Sequence, residues 1–198
     1  MRKRRTRRQK RMRRATKTFF IFLLIALIVL PIILISSEPI QNQIYPLKYS
    51  TSVEAVAEKY NFPPSLIYAV IHTESKFNPN ALSSANAKGL MQITDETYQW
   101  ACRRIGQEAT DSAALFDPET NIAYGGLILS LLRERFGDME TALAAYNAGQ
   151  GKVTEWLKNP SYSQDRKTLT HIPYEETENY VRRVINTQEK YQKLYNIP

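Results

Sequence analysis

The sequence predicts a mainly α-helical globular domain preceded by one N-terminal transmembrane helix. Three observations carry that expectation. No stretch shows sustained period-two alternation of apolar and polar residues, so sheet is not expected. Apolar residues recur instead at helical spacing between capping residues and breakers. An apolar run, Phe19 to Ile35, follows directly on a dense basic tail. A chain of 198 residues suffices for one domain with a core, and is short for two domains plus a membrane segment.

Residues 1–17 hold eleven Lys or Arg and no acid, which predicts a cytoplasmic tail. Residues 18–37 contain the seventeen-residue apolar run, interrupted only by Pro31, and predict a signal anchor. The positive charge before it places the N-terminus in the cytoplasm and the rest of the chain outside. The boundary Ile35-Ser36-Ser37-Glu38-Pro39 makes a poor small-x-small cleavage site, which favours a retained anchor over a cleaved signal. Residues 38–50, with Pro39 and Pro46, read as a linker, and residues 51–198 as the domain.

Within the domain, Val53, Val56, Ala57 and Tyr60 form a first helical stripe, broken at Asn61 to Pro64. Pro64 suits the first turn of the next helix, in which Leu66, Ile67, Val70 and Ile71 lead to Glu74 before Phe77-Asn78-Pro79-Asn80 stops it. Asp117-Pro118 pairs a capping acid with proline at the first helical position, and Ile122, Leu129, Leu132 and Phe136 follow as a stripe. Gly125-Gly126 inside that helix costs about 1 kcal/mol per glycine relative to alanine, which predicts a close packing neighbour. Gly137-Asp138 ends it. Thr141 to Tyr146 and Val153 to Leu157 read as short helices, and Tyr180, Val184, Tyr191 and Leu194 line a long final one.

The formal net charge of +8 belongs to the tail. Without residues 1–17, sixteen basic residues face nineteen acidic ones, which argues against a nucleic-acid-binding face. Cys102 is the single cysteine, so no internal disulfide is expected, and it reads as a small buried apolar side chain. There are no paired Cys or His ligands, and His72 and His171 stand alone, so neither a metal nor a cofactor is expected.

Four short motifs occur in order: Glu74-Ser75, Gly89-Leu90-Met91-Gln92, Ala145-Tyr146-Asn147-Ala148-Gly149, and Ile172-Pro173-Tyr174-Glu175-Glu176-Thr177. In these the chain resembles the soluble lytic transglycosylases (glycoside hydrolase family 23), whose catalytic domain is related to goose-type lysozyme. The resemblance covers Ser52 to about Tyr195 and implies a lysozyme-like fold. In that family the Glu of Glu-Ser is the sole catalytic acid and base, which implies the role for Glu74.

Read from its surroundings alone, Glu74 is more simply a solvated glutamate at a helix end. Val70 and Ile71 on its own face, and the negative end of the helix dipole, nonetheless push towards the protonated acid that glycosidic cleavage needs. By resemblance, Met91 and Gln92 belong to the glycan groove, Ser83 aligns with a substrate-binding serine, and Tyr146 and Asn147 aim at sugar and acid. Ser75 joins this substrate-binding set or braces the turn. Glu176 and Tyr180, four residues apart, share one helix face and can enter the same cleft. Without the resemblance, the Gly89 motif is a turn entering an apolar helix, Tyr146-Asn147 a helix end, and the Glu176 face solvated.

Two departures from the family pattern stand out. The family commonly writes Gly-Leu-Met-Gln-x-Met-Pro, whereas Thr94 and Asp95 occupy the last two places here. A usual glycine is replaced by Asn86, which still tolerates a left-handed backbone. No family-matched second carboxylate accompanies Glu74, so the resemblance implies non-hydrolytic cleavage of the MurNAc–GlcNAc bond of peptidoglycan to a 1,6-anhydromuramyl product. The expected protein is a monomeric, membrane-anchored enzyme working outside the cytoplasmic membrane. The alternatives are a muramidase of the same fold and a catalytically silent glycan-binding scaffold module.

Overall fold

The computed structural model describes residues 7–35 and 38–198. Residues 1–6 of the expected tail and residues 36–37 of the expected anchor lie outside the described residues. The chain divides into two compact units, 1–46 and 47–198.

In the first unit, α1 (Arg7–Ile35) continues through Pro31. Phe19, Phe22, Leu24, Leu27 and Leu30 are each more than half exposed along it. Among the described residues, no helix is long and apolar enough to cross a membrane. A second helix, α2 (Glu38–Ile44), forms where the composition predicts a tether. Pro39 sits in its first turn, where a missing N–H breaks no helical bond.

In the second unit, α3 (Ser50–Tyr60) and α4 (Pro64–Ser75) are followed by an irregular stretch and then α5 (Asp95–Arg104). A 3-10 turn (Ser112–Phe116) leads into α6 (Pro118–Phe136), α7 (Met139–Ala148) and α8 (Gln150–Trp156). The last helix, α9 (Glu175–Tyr195), follows a long connection. Several ends match local chemistry. Asp117 caps α6 through the Thr120 N–H, Asp138 caps α7 through the Thr141 N–H, and Gly137 closes α6 at φ 83°. Two isolated bridges, Leu82 with Lys88 and Lys88 with Ile93, make up the β pairing among the described residues.

α4 is the central helix. Its residues from Ser65 to His72 are all buried, as an almost uniformly apolar sequence requires. It packs most extensively against α9. Tyr68 stacks on Tyr191 at 5.2 Å, and the opposite end of α4 meets Tyr180, so the two helices run antiparallel. α6 contacts α3, α5 and α7. Its adjacent glycines explain how closely: a Cβ on Gly126 would lie 2.2 Å from Val56 of α3, and one on Gly125 would lie 2.2 Å from the sulfur of Met91. Arg133 of α6 adds a cap, donating to the carbonyls of Tyr60 and Asn61 at the end of α3.

Candidate active site

Glu74 is held by the last turn of α4, which ends when Lys76 turns left-handed at φ 53°. Its carboxyl opens on a cavity of about 570 Å³. Burial pushes its pKa up to about 7, against the smaller opposing pulls of the Tyr180 hydroxyl and the Arg183 charge. The other clearly shifted carboxyls, Asp95, Asp117 and Asp165, are held below the ordinary range by hydrogen bonds. Glu74 is therefore the carboxyl prepared to give a proton near neutrality.

One wall is the loop from Lys88 to Ile93. Lys88 and Ile93 exchange backbone hydrogen bonds at 3.0 and 3.1 Å, which forces a tight reversal between them. Gly89 takes φ 73° and Gln92 φ 49°, both left-handed. Gly89 has no room for a Cβ either, because Leu115 O would lie 2.2 Å away. Gln92 reaches the cavity with its amide braced on the Gly89 and Ala81 carbonyls at 2.9 and 3.2 Å. The helix that follows this loop is largely polar, with only Tyr98, Ala101 and Cys102 buried, unlike the apolar helix that the motif read alone suggests. The next helix waits for Thr94, whose hydroxyl caps α5 through the Thr97 N–H.

Behind the loop sits Asn121, wholly buried in α6. Its side chain accepts from Met91 N at 2.7 Å and donates to Lys88 O at 2.9 Å and Leu115 O at 2.7 Å. One amide thus partners the Met91 N–H and the Leu115 carbonyl and adds a second bond to the Lys88 carbonyl, which also accepts from Ile93 N. The left-handed Asn86 expected from the sequence is present at φ 60°. Its side chain donates to Asp95, which also pairs with the nearly buried Lys88. A polar Asn86–Lys88–Asp95 cluster thereby stands beside the groove, with Asp95 where the resemblance expects proline.

The cavity brings together most of the residues singled out from the sequence. Glu74, Ser83, Gln92, Tyr146, Asn147 and Glu176 all line it. Tyr180 lies behind them, 2 % exposed, and its hydroxyl has no hydrogen bond of standard geometry while its main influence falls on Glu74. Tyr146 donates to Met91 O at 2.7 Å and so ties α7 to the loop. Burial, and next the Glu74 charge, hold both tyrosines well above their ordinary pKa, so they stay neutral donors.

Two expected groove residues point elsewhere. Met91 is fully buried against Gly125, so its backbone rather than its thioether shapes the wall. Ser75 spends its hydroxyl on Leu90 O at 2.8 Å and Ile71 O, bracing the loop against α4. Conversely, the sequence reading passed over Glu96, Thr97, Trp100 and Arg103, which with Thr94, noted there as a departure from the family pattern, form a wall from α5 and its cap. Their signal was legible in part, since Thr94 followed by two acids is a helix start. Asn121 offered none beyond being polar beside apolar neighbours.

Residues 51–169 match the family model described as the transglycosylase SLT domain. The chain belongs to this family. Its relatives in the SLT family include the soluble lytic murein transglycosylase of Escherichia coli (strain K12), 34% identical over 71% of this chain and 22% of that protein. The membrane-bound lytic murein transglycosylase C of Actinobacillus pleuropneumoniae serotype 5b (strain L20) is 32% identical over 73% of this chain and 46% of its own. Among solved SLT structures, an inactive glutamate-to-glutamine mutant of the lytic transglycosylase Slt from Pseudomonas aeruginosa superposes with a TM-score of 0.66 at 32% identity. That match covers 76% of this chain and 25% of the other. The chain therefore spans less than half the length of each of these relatives.

Proposed function

We propose that this protein is a peptidoglycan lytic transglycosylase in which Glu74 acts as both acid and base. The observation that carries the reading is a single carboxyl, raised to about 7 by burial, opening on a cavity between α4, α5, α7 and α9. In the first half of the reaction the Glu74 proton passes to the glycosidic oxygen as its bond to C1 of N-acetylmuramic acid breaks. In the second half the muramyl C6 oxygen bonds to C1, and its proton returns to the Glu74 carboxylate. The acid is regenerated, and no water is consumed. Neutral Tyr180 is placed to stabilise the transient carboxylate, Tyr146 holds the wall through its bond to Met91 O, and Gln92, Ser83, Asn147 and Glu176 supply polar contacts for sugar.

The same reading includes an anchor at residues 18–37, a cytoplasmic basic tail, and a catalytic unit outside the membrane working as a monomer. Support comes from the apolar side chains exposed along α1 and from the name of the membrane-bound relative. Neither a cofactor nor nucleic acid has a part in it.

One observation favours hydrolysis as the second reading. Glu176 and Glu96 share the cavity with Glu74, and a second carboxylate could activate water. Mass spectrometry of digested peptidoglycan separates the two. Anhydromuramyl ends, one water lighter than hydrolysed ends, support the transglycosylase; reducing muramic ends establish the muramidase.

A further inference from the structure

We propose that Asp95 is a positioning residue: through Asn86 it fixes the turn that presents Ser83 to the groove, so that two departures from the family pattern act as one device for holding glycan. The inference rests on the reading of the cavity as a glycan groove. The turn closes on itself. Ser83 N donates to Ala87 O and Asn86 N to Ser83 O, both at 3.0 Å, and Ala87 N donates to the Ser83 hydroxyl at 3.1 Å. Because that hydroxyl oxygen accepts here, its own proton is left for a sugar oxygen. Ser83, Ser84, Ala85 and Ala87 line the cavity, so where this tip stands decides the shape of the rim.

At its base, Leu82 and Lys88 form a bridge. Among the described residues, the one hydrogen bond from the tip to another element runs from the Asn86 amide to Asp95 at 2.9 Å. Asp95 opens α5, a rigid anchor, and an acid in the first turn suits the helix dipole. Its second oxygen accepts from the Lys88 ammonium, which also donates to Asn86 O at 3.4 Å. Lys88 is only 8 % exposed, so its charge needs this partner, and the partner is fixed in direction as a result. The same bond is the first cause holding the Asp95 carboxyl below its ordinary range, so it remains a charged acceptor near neutrality. The pattern common in the family has glycine at position 86 and proline at 95, and that pair could not make this bond. Glycine has no side chain, and the proline ring has no acceptor. The two departures are therefore chemically coupled. Asn86 tolerates the left-handed backbone that glycine would take more easily, and the amide it adds reaches Asp95.

The test measures kcat and KM of the full chain in detergent on peptidoglycan glycan. Asp95→Ala should raise KM about five-fold and leave kcat within about two-fold, because one positioning bond is lost and Glu74 is untouched. Asp95→Asn, which keeps an acceptor for Asn86, should recover most of that KM. Thermal melts separate positioning from scaffolding. Asp95→Ala leaves the Lys88 ammonium unpaired and should lower the melting temperature. Lys88→Met combined with Asp95→Ala removes both charges, and should restore the melting temperature while KM stays raised. If KM recovers together with the melting temperature, the pair is a scaffold only and the proposal fails. In a Ser83→Ala background, Asp95→Ala should add little further to KM. Full additivity of the two, or an unchanged KM for Asp95→Ala alone, overturns the assignment. If the unmodified chain cleaves no glycan, the reading of the groove itself fails and takes this inference with it.

Discussion

At the scale of single residues, the proposed function makes its sharpest prediction at Glu74. Glu74→Gln keeps the shape of the acid but can neither give nor take the proton, so cleavage should fall by about 10²–10⁴ or more while glycan binding persists. Turnover of peptidoglycan and a binding assay on the same variant check this; near-normal turnover would move the acid to Glu176 or Glu175. The raised pKa also sets a pH profile. Because the protonated acid starts the reaction, kcat/KM should hold below about 7 and decline above it. Stability follows the same shift. Below the ordinary value of 4.5 the acid is neutral in both folded and unfolded chains. Between 4.5 and about 7 the unfolded chain releases a proton that the folded one keeps, so stability declines as pH rises through that window. Thermal melts should therefore show Glu74→Gln more stable than the unmodified chain at pH 8 and equal to it near pH 4.

At the scale of elements, the groove depends on how α6 receives its neighbours. Asn121→Ala would remove the side-chain partner of the Met91 N–H and the Leu115 carbonyl in a buried site, while the Lys88 carbonyl keeps its bond from Ile93 N. At about 1–3 kcal/mol for each of these two groups, a loss of about 2 kcal/mol or more is expected, read from the denaturation midpoint. Gly126→Ala should also destabilise, although alanine is the better helix former by roughly 1 kcal/mol. Its Cβ would collide with Val56, a stiff β-branched side chain that is itself buried. A gain in stability would show that α3 can move away. Many helix ends here were legible because their causes lie within four residues along the chain. Pro64, Asp117-Pro118 and Gly137-Asp138 are examples. α5 went unread because only Tyr98, Ala101 and Cys102 are buried along it, too short a stripe to declare a helix. α2 went unread because its proline suggested a tether, although a first turn accepts one.

At the scale of the whole molecule, the asymmetry of charge makes a topological prediction. A protease added to intact spheroplasts should remove the catalytic unit and leave an epitope in residues 1–17 protected. Protection of the entire chain would reverse the orientation, and a mature form lacking residues 1–37 would establish a cleaved signal. The unit from Leu47 onward should be mostly helical by circular dichroism. Cys102 is buried and unpaired, and no group of ligands suited to a metal occurs among the described residues. Neither chelator nor reductant should therefore shift its melting temperature.

The sequence by itself determined the helical class, the charged tail and its apolar successor, and a residue at Asn86 that tolerates the left-handed turn. Each of these follows from residue type and short-range spacing. Only the tertiary structure decided which side chains share the cavity. Met91 and Ser75 turned inward to serve the loop, Trp100 and Arg103 came to face the acid's cavity, and Asn121 became the clamp behind it. The reason is physical: a cap or a turn is settled by neighbours along the chain, whereas the direction a side chain finally faces depends on partners up to a hundred residues away, brought near only by burial of the shared core.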